Sequence, residues 1–221
     1  MLIKRLSLIL IGLILITSVA LGDALFAGIS TANARAGHPD TEVARGYSLL
    51  KIVEGSDPLE NPSGVITNFG LLNDFPPQTI ERTRTEPDEN TYIVFDRNPG
   101  GPTPDFDYGR HFLYQGHENG NNLAYITRVN LDIADPAHRI TLITPVGADG
   151  KTGFNSIDGS TWNPFTRTLL FTQEAGSPTG GVIEVTPDWP PVVRRLDGMI
   201  GSSAYEGIHP DRNGNLIIFE D

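Results

Sequence analysis

Five acids sit where short apolar runs end or turn: Glu118, Glu174, Glu206, Glu220 and Asp221. Carboxylates that converge lose hydration and repel one another, so a site built from several of them needs a cation. The chain has no cysteine. Oxygen ligands without thiolate select hard divalent ions, and Ca²⁺ accepts six to eight of them in loose geometry. Any one of these acids, taken alone, equally well ends its strand in water. Only the recurrence speaks for convergence.

Other chemistries lack their residues. Without cysteine there is no disulfide, no Cys-ligated zinc or iron–sulfur cluster, and no thiol catalysis. No Gly-x-Ser-x-Gly occurs, and the histidines at 38, 111, 117, 138 and 209 are scattered. His117-Glu118 is followed by Asn119-Gly120-Asn121, so the His-Glu-x-x-His zinc pattern is absent, as is a phosphate-cradling loop. Asp211-Arg212-Asn213-Gly214-Asn215 places its glycine fourth rather than sixth, which makes it a hairpin turn rather than a calcium loop.

The elements that must position the acids read as strands. The 221 residues include 24 Gly and 17 Pro, a turn-rich composition that rules out a coiled coil. From residue 91 on, short β-rich runs alternate with turn signals: 91–96, 111–115, 123–132, 139–146, 167–173, 181–186, 192–196 and 215–219. No segment shows capped helical periodicity, so the class is all-β. Residues 87–96, 163–174 and 209–221 each read as a Pro-opened turn, an aliphatic strand with Phe, and an acid. Glu174 and Asp221 lie 47 residues apart, within the roughly 40–50 residues of one propeller blade. A β-propeller is the expected architecture, because it brings equivalent strand ends to one axis. A β-sandwich of similar strands is the alternative.

The two ends read differently. Lys4-Arg5, an apolar run of residues 6–21 and Ala34-Arg35-Ala36 have the layout of a secretory signal. Residues 1–36 are thus read as an export signal or an uncleaved anchor, placing the body in the periplasm or outside the cell. Contact with a membrane is expected only through that segment. Residues 37–90 read as an irregular approach with one strand at 47–53, and 91–221 as the blades. The pattern stops inside a strand at Phe219-Glu220-Asp221, as in a fragment of a longer frame. Removing Lys4, Arg5 and Arg35 together with Asp23 leaves 13 basic against 26 acidic residues, a net of −13. Such a surface suits cations and lacks the basic footprint of nucleic-acid binding.

The order Gln115-Gly116-His117-Glu118, Asp158-Gly159-Ser160-Thr161-Trp162, Leu170-Phe171-Thr172-Gln173-Glu174, Tyr205-Glu206-Gly207, Phe219-Glu220-Asp221 resembles the PhoX-type alkaline phosphatases. The resemblance covers roughly residues 90–221, about the first half of such a protein. It implies a β-propeller, an exported enzyme that hydrolyses phosphate monoesters, and a calcium and iron cluster. It also implies that Glu118, Glu174, Glu206, Glu220 and Asp221 are metal ligands. Two departures stand out. Gly116 replaces an Asn, and Thr172-Gln173-Glu174 stands where the family carries Cys-Glu-Glu. A neutral hydroxyl is a poor substitute for a thiolate at iron. The residues thus speak for calcium and against iron, and a calcium-only hydrolase, a lactonase-like calcium propeller and a non-catalytic calcium-stabilised binding module all remain open.

Overall fold

A computed structural model describes residues 29–30, 43–44, 50–70 and 85–221. The expected export signal lies outside these residues apart from Ile29 and Ser30. The chain divides into residues 1–52 and 53–221. In the first unit, β1 (Ile29–Ser30) pairs antiparallel with β2 (Val43–Ala44). Of the strand expected at 47–53, residues 47–49 lie outside the description and 50–53 are irregular. Among the described residues no helix is long and apolar enough to cross a membrane.

The second unit is all-β. Strands β3 (Glu86–Val94), β4 (His111–Glu118), β5 (Tyr125–Asn130) and β6 (Ile140–Leu142) form an antiparallel meander. A second meander follows: β7 (Ile157–Asn163), β8 (Thr168–Gln173), β9 (Gly181–Val185) and β10 (Val193–Arg195). The hairpin β11 (Tyr205–Pro210) and β12 (Leu216–Glu220) forms a third sheet. Its turn is the one expected at residues 211–215, where the Asp211 carboxylate accepts from the Asn213 and Asn215 backbone N–H groups. The expected runs match eight of these strands. Strands β7 and β11 were not expected, and both are first strands of their sheets.

Apolar alternation explains the stacking. Along β8, Leu169 and Phe171 face the first sheet and pack with Ile93, Phe112, Tyr114 and Ile126. Leu170 faces the hairpin and packs with Val182, Leu196 and Ile208. All six residues of β8 are therefore buried, as befits a strand covered on both faces. Trp162 fills the seam between the first two sheets, edge-on to Phe95 with ring centroids 5.8 Å apart. Trp189 is half-buried against the same core, and its backbone N–H donates to the Pro99 carbonyl at 2.9 Å.

Residues 53–70 form a strap along β6, an edge that would otherwise offer free backbone groups. Glu60 N donates to Ile140 O at 2.8 Å, and the Asn61 amide pairs with both backbone groups of Leu142. Tyr108, Thr103 and His138 all hydrogen-bond to Oε1 of Glu60.

Candidate functional site

The same end of all three sheets is irregular in the same way. The ladder between β3 and β4 slips between Pro87 and Asn90, that between β7 and β8 slips between Ile157 and Ser160, and that between β11 and β12 slips between Tyr205 and Gly207. Each slip is a β-bulge, a device that breaks pairing and re-aims a side chain. The last pairs before the bulges are Pro87↔His117, Ile157↔Gln173 and Tyr205↔Glu220. One residue further along each first strand stands an acid: Asp88, Asp158 and Glu206. One residue further along each second strand stands another: Glu118, Glu174 and Asp221. Each sheet thus offers two carboxylates at one end.

Glycines let these ends approach. A Cβ at Gly116 would crowd Ile157 Cγ2 at 2.9 Å and the Asp158 carbonyl at 3.2 Å. A Cβ at Gly159 would run into the Glu206 carbonyl oxygen and meet the Thr172 hydroxyl at 2.8 Å. Side-chain donors then hold the loosened backbone. Gln115 Nε2 donates to the Asp88 and Glu89 carbonyls at 2.5 and 3.2 Å. Thr172 Oγ1 donates to the Glu206 carbonyl at 2.9 Å. Glu89 accepts from the Ser160 backbone N–H at 3.1 Å, and the Thr91 and Ser160 hydroxyls hydrogen-bond at 2.9 Å, linking the first strands of two sheets.

The acids feel one another. Asp158 is only 6% exposed. Burial, a hydrogen bond with Asp88 and the charges of Asp88, Glu174 and Glu118 push its carboxyl up to about 8. Glu174 is also raised, by burial first, then by the charges of Glu118 and Asp221, a hydrogen bond with Asp221 and the charge of Glu206. Among the described residues, the ion pairs of Arg97, His111, His138, Arg167, Arg194 and Arg195 involve none of these acids. Among the described residues, no three such side chains already close around one ion-sized point.

Of the expected ligands, Glu118, Glu174, Glu206 and Asp221 come together here. Glu220 does not share their position. It stands in register with His117 and Gln173, and its carboxylate accepts from the Ser203 hydroxyl. The structure adds Asp88 and Asp158. Asp158 lay within a quoted motif but read as part of a turn, because Gly159 beside it masked the strand. The repeat also needs one correction. Residues 163–174 and 209–221 both end on second strands, whereas 87–96 runs along a first strand. The true counterpart in the first sheet is β4 with Glu118.

The chemistry of the donor set suits a hard cation, with six carboxylates and no sulfur. The two positions where the resembled cluster carries Cys and Glu offer it no free donor. Thr172 and Gln173 are both 0% exposed and engaged. Gln173 donates to the Asn155 carbonyl at 2.8 Å and accepts from Arg195 at 3.1 Å. His117 is equally unavailable. Its ring nitrogens meet the Thr85 and Thr127 hydroxyls at 3.0 and 2.8 Å, its ring stacks on Tyr125 at 4.3 Å, and burial lowers its pKa to about 3.

The chain matches no protein-family profile, no curated protein and no solved structure.

Proposed function

We propose that the three sheets are consecutive blades of a β-propeller, that their acid end binds Ca²⁺, and that the chain works as an exported metal-dependent phosphate-monoester hydrolase. The observation that carries the cation reading is the six carboxylates placed by three equivalent bulges, with no salt bridge to any of them among the described residues. Packing supports the blade reading: β7 contacts β3 and β4 on one side and β11 on the other, and its sheet is covered on both faces, unlike either sheet of a two-sheet sandwich. Motif order supports the phosphatase reading, and Lys4-Arg5 with the apolar run supports export.

Asp88, Glu118, Asp158, Glu174, Glu206 and Asp221 would hold the ion. When bound, a divalent cation supplies positive charge that draws and orients phosphate oxygens. The chain's own share is geometric. The bulges aim the acids, Gly116 and Gly159 bring the sheets together, and Gln115 and Thr172 fix the loosened backbone. Asp158 shares a hydrogen bond with Asp88. The net reaction adds water to a phosphate monoester and releases an alcohol and inorganic phosphate.

The test is hydrolysis of p-nitrophenyl phosphate with and without Ca²⁺, in wild type and in Asp158→Asn. Calcium-dependent turnover that a chelator abolishes and the variant loses supports the reading. A second reading, a calcium-stabilised propeller that binds a partner without catalysis, is favoured by Thr172 and Gln173, whose polar atoms are committed to backbone and arginine. Calcium binding with no phosphate release selects it. Turnover of a lactone instead selects the lactonase-like alternative.

A further inference from the structure

We infer that Thr172 is a positioning residue of the acid end: its hydroxyl ties the second sheet to the backbone that carries Glu206 and so sets the spacing of carboxylates from neighbouring sheets. The inference rests on the reading that these acids hold a cation. Thr172 lies on β8 between the register pairs Ile157↔Gln173 and Ser160↔Phe171, opposite the bulge of its own sheet. Its side chain is on the face of β8 that meets the hairpin, two residues from Leu170 and two from Glu174. The hydroxyl has one proton to donate. The Glu206 carbonyl at 2.9 Å takes it in preference to the Gly159 carbonyl at 3.4 Å.

Three features converge on that bond. A bulge leaves backbone groups outside the ladder, and these need other partners. Gly159 has no side chain, which leaves the space through which the Glu206 carbonyl approaches. Thr172 then supplies the donor. Gln115 does the same work in the first sheet, where its amide reaches the carbonyls of both bulge residues, Asp88 and Glu89. Two unrelated side chains thus serve the same purpose at two acid-bearing bulges. The hydroxyl at 172 therefore has a task that needs no metal bond, and it would act on a bound cation through Glu206 and Glu174.

The experiment is calorimetric titration of CaCl₂ into the chelator-treated 221-residue chain, comparing wild type with Thr172→Ser and Thr172→Val. Serine keeps the donor, and valine keeps the volume without it. Losing one hydrogen bond that orders a site corresponds to about a tenfold effect. The expected result is about tenfold weaker Ca²⁺ binding in the Val variant and near-wild-type binding in the Ser variant. A residue that served only the core would lower the melting temperature of the Val variant and leave its affinity unchanged, and that outcome overturns the inference. Failure of Ser to preserve affinity overturns it too. If the Val variant does not fold, Thr172→Cys, a weak donor of similar size, is expected to fall between the two, and wild-type affinity in Cys overturns the inference. A wild-type chain that takes up no Ca²⁺ removes the cation reading and this inference together.

Discussion

The two ends of the same strands are built on opposite plans. At one end, β3 pairs with β4 without interruption from Asn90 to Val94, and β7 with β8 from Ser160 to Asn163. Aromatic rings meet there, Phe95 against Trp162, and charges are matched, Arg97 with Asp188 at 2.7 Å and Arg167 with Asp96 at 3.6 Å. At the other end the ladders slip, backbones touch across glycines, and carboxylates face carboxylates. Regular pairing and matched charge stabilise a fold. Bulges and like charges cost stability, and they persist where geometry serves something else. The contrast is the ground for placing the proposed site at the acid end and the scaffold at its opposite.

The largest expected effect is steric. Gly159→Val places a branched side chain against the Glu206 carbonyl, where even a Cβ has no room. We expect a loss of about 3 kcal/mol or more, or no folding at all, read from the urea midpoint. A variant of wild-type stability would show that the close approach of the second and third sheets is not needed.

The next effect is pH-dependent and has two signs. His117 has a pKa of about 3 in the fold and an ordinary value near 6.5 unfolded. Below 6.5 the unfolded chain binds a proton that the fold refuses. Stability from this group is therefore full above 6.5 and falls as the pH drops toward 3, by about 1.4 kcal/mol per pH unit. Asp158 runs the other way. Its carboxyl is raised to about 8 from 3.8, so the chelated fold loses stability as pH rises between those values. Between 3.8 and 6.5 the two slopes cancel, so denaturant melts from pH 3 to 9 in chelator should show a plateau there, an acid limb below it and an alkaline limb from about 6.5 to 8. Added Ca²⁺ should flatten the alkaline limb only. A calcium effect confined to the acid limb would contradict the assignment.

Substitution at the acid end should then separate stability from binding. Asp158→Asn removes a buried carboxylate crowded by Asp88, Glu118 and Glu174. In chelator its melting temperature should rise by about 2–4 °C, the usual sign of a site that trades stability for function. Its gain from Ca²⁺ should shrink. A lower melting temperature in chelator would mean that Asp158 is a structural acid.

The smallest effect belongs to the opposite end. Arg97 and Asp188 form an ion pair whose side chains are 69% and 53% exposed. Arg97→Ala should change stability by less than about 1 kcal/mol and leave the Ca²⁺ response intact. A change in that response would join the two ends, which the contrast keeps apart.

Much of the frame was legible in the sequence, and what was missed has a physical reason. Second strands such as β8 and β12 carry continuous apolar runs shortly before their acids, so Glu174 and Asp221 stood out. First strands β7 and β11 carry the bulges, and Asp158-Gly159 and Glu206-Gly207 each set a glycine beside an acid, the usual mark of a turn rather than of a strand. The features that aim the acids thus concealed the strands holding them. Asp88 was hidden by Pro87, which read as a turn opener. The resemblance pairs Glu220 with Asp221 at one acidic strand end, and the register sets Glu220 at the position that His117 and Gln173 hold in the other sheets.

The central claim is that six convergent carboxylates form a cation site, and Ca²⁺ binding to the chelator-treated chain tests it most directly. A ligand that binds only the folded state raises its stability by mass action, about 2.7 kcal/mol at a hundredfold excess over its dissociation constant. Titration calorimetry should show saturable uptake, and a melt in millimolar Ca²⁺ should shift upward in wild type and much less in a combined Asp158→Asn, Glu174→Gln variant. No heat of binding and no shift in melting temperature at millimolar Ca²⁺ would contradict the account.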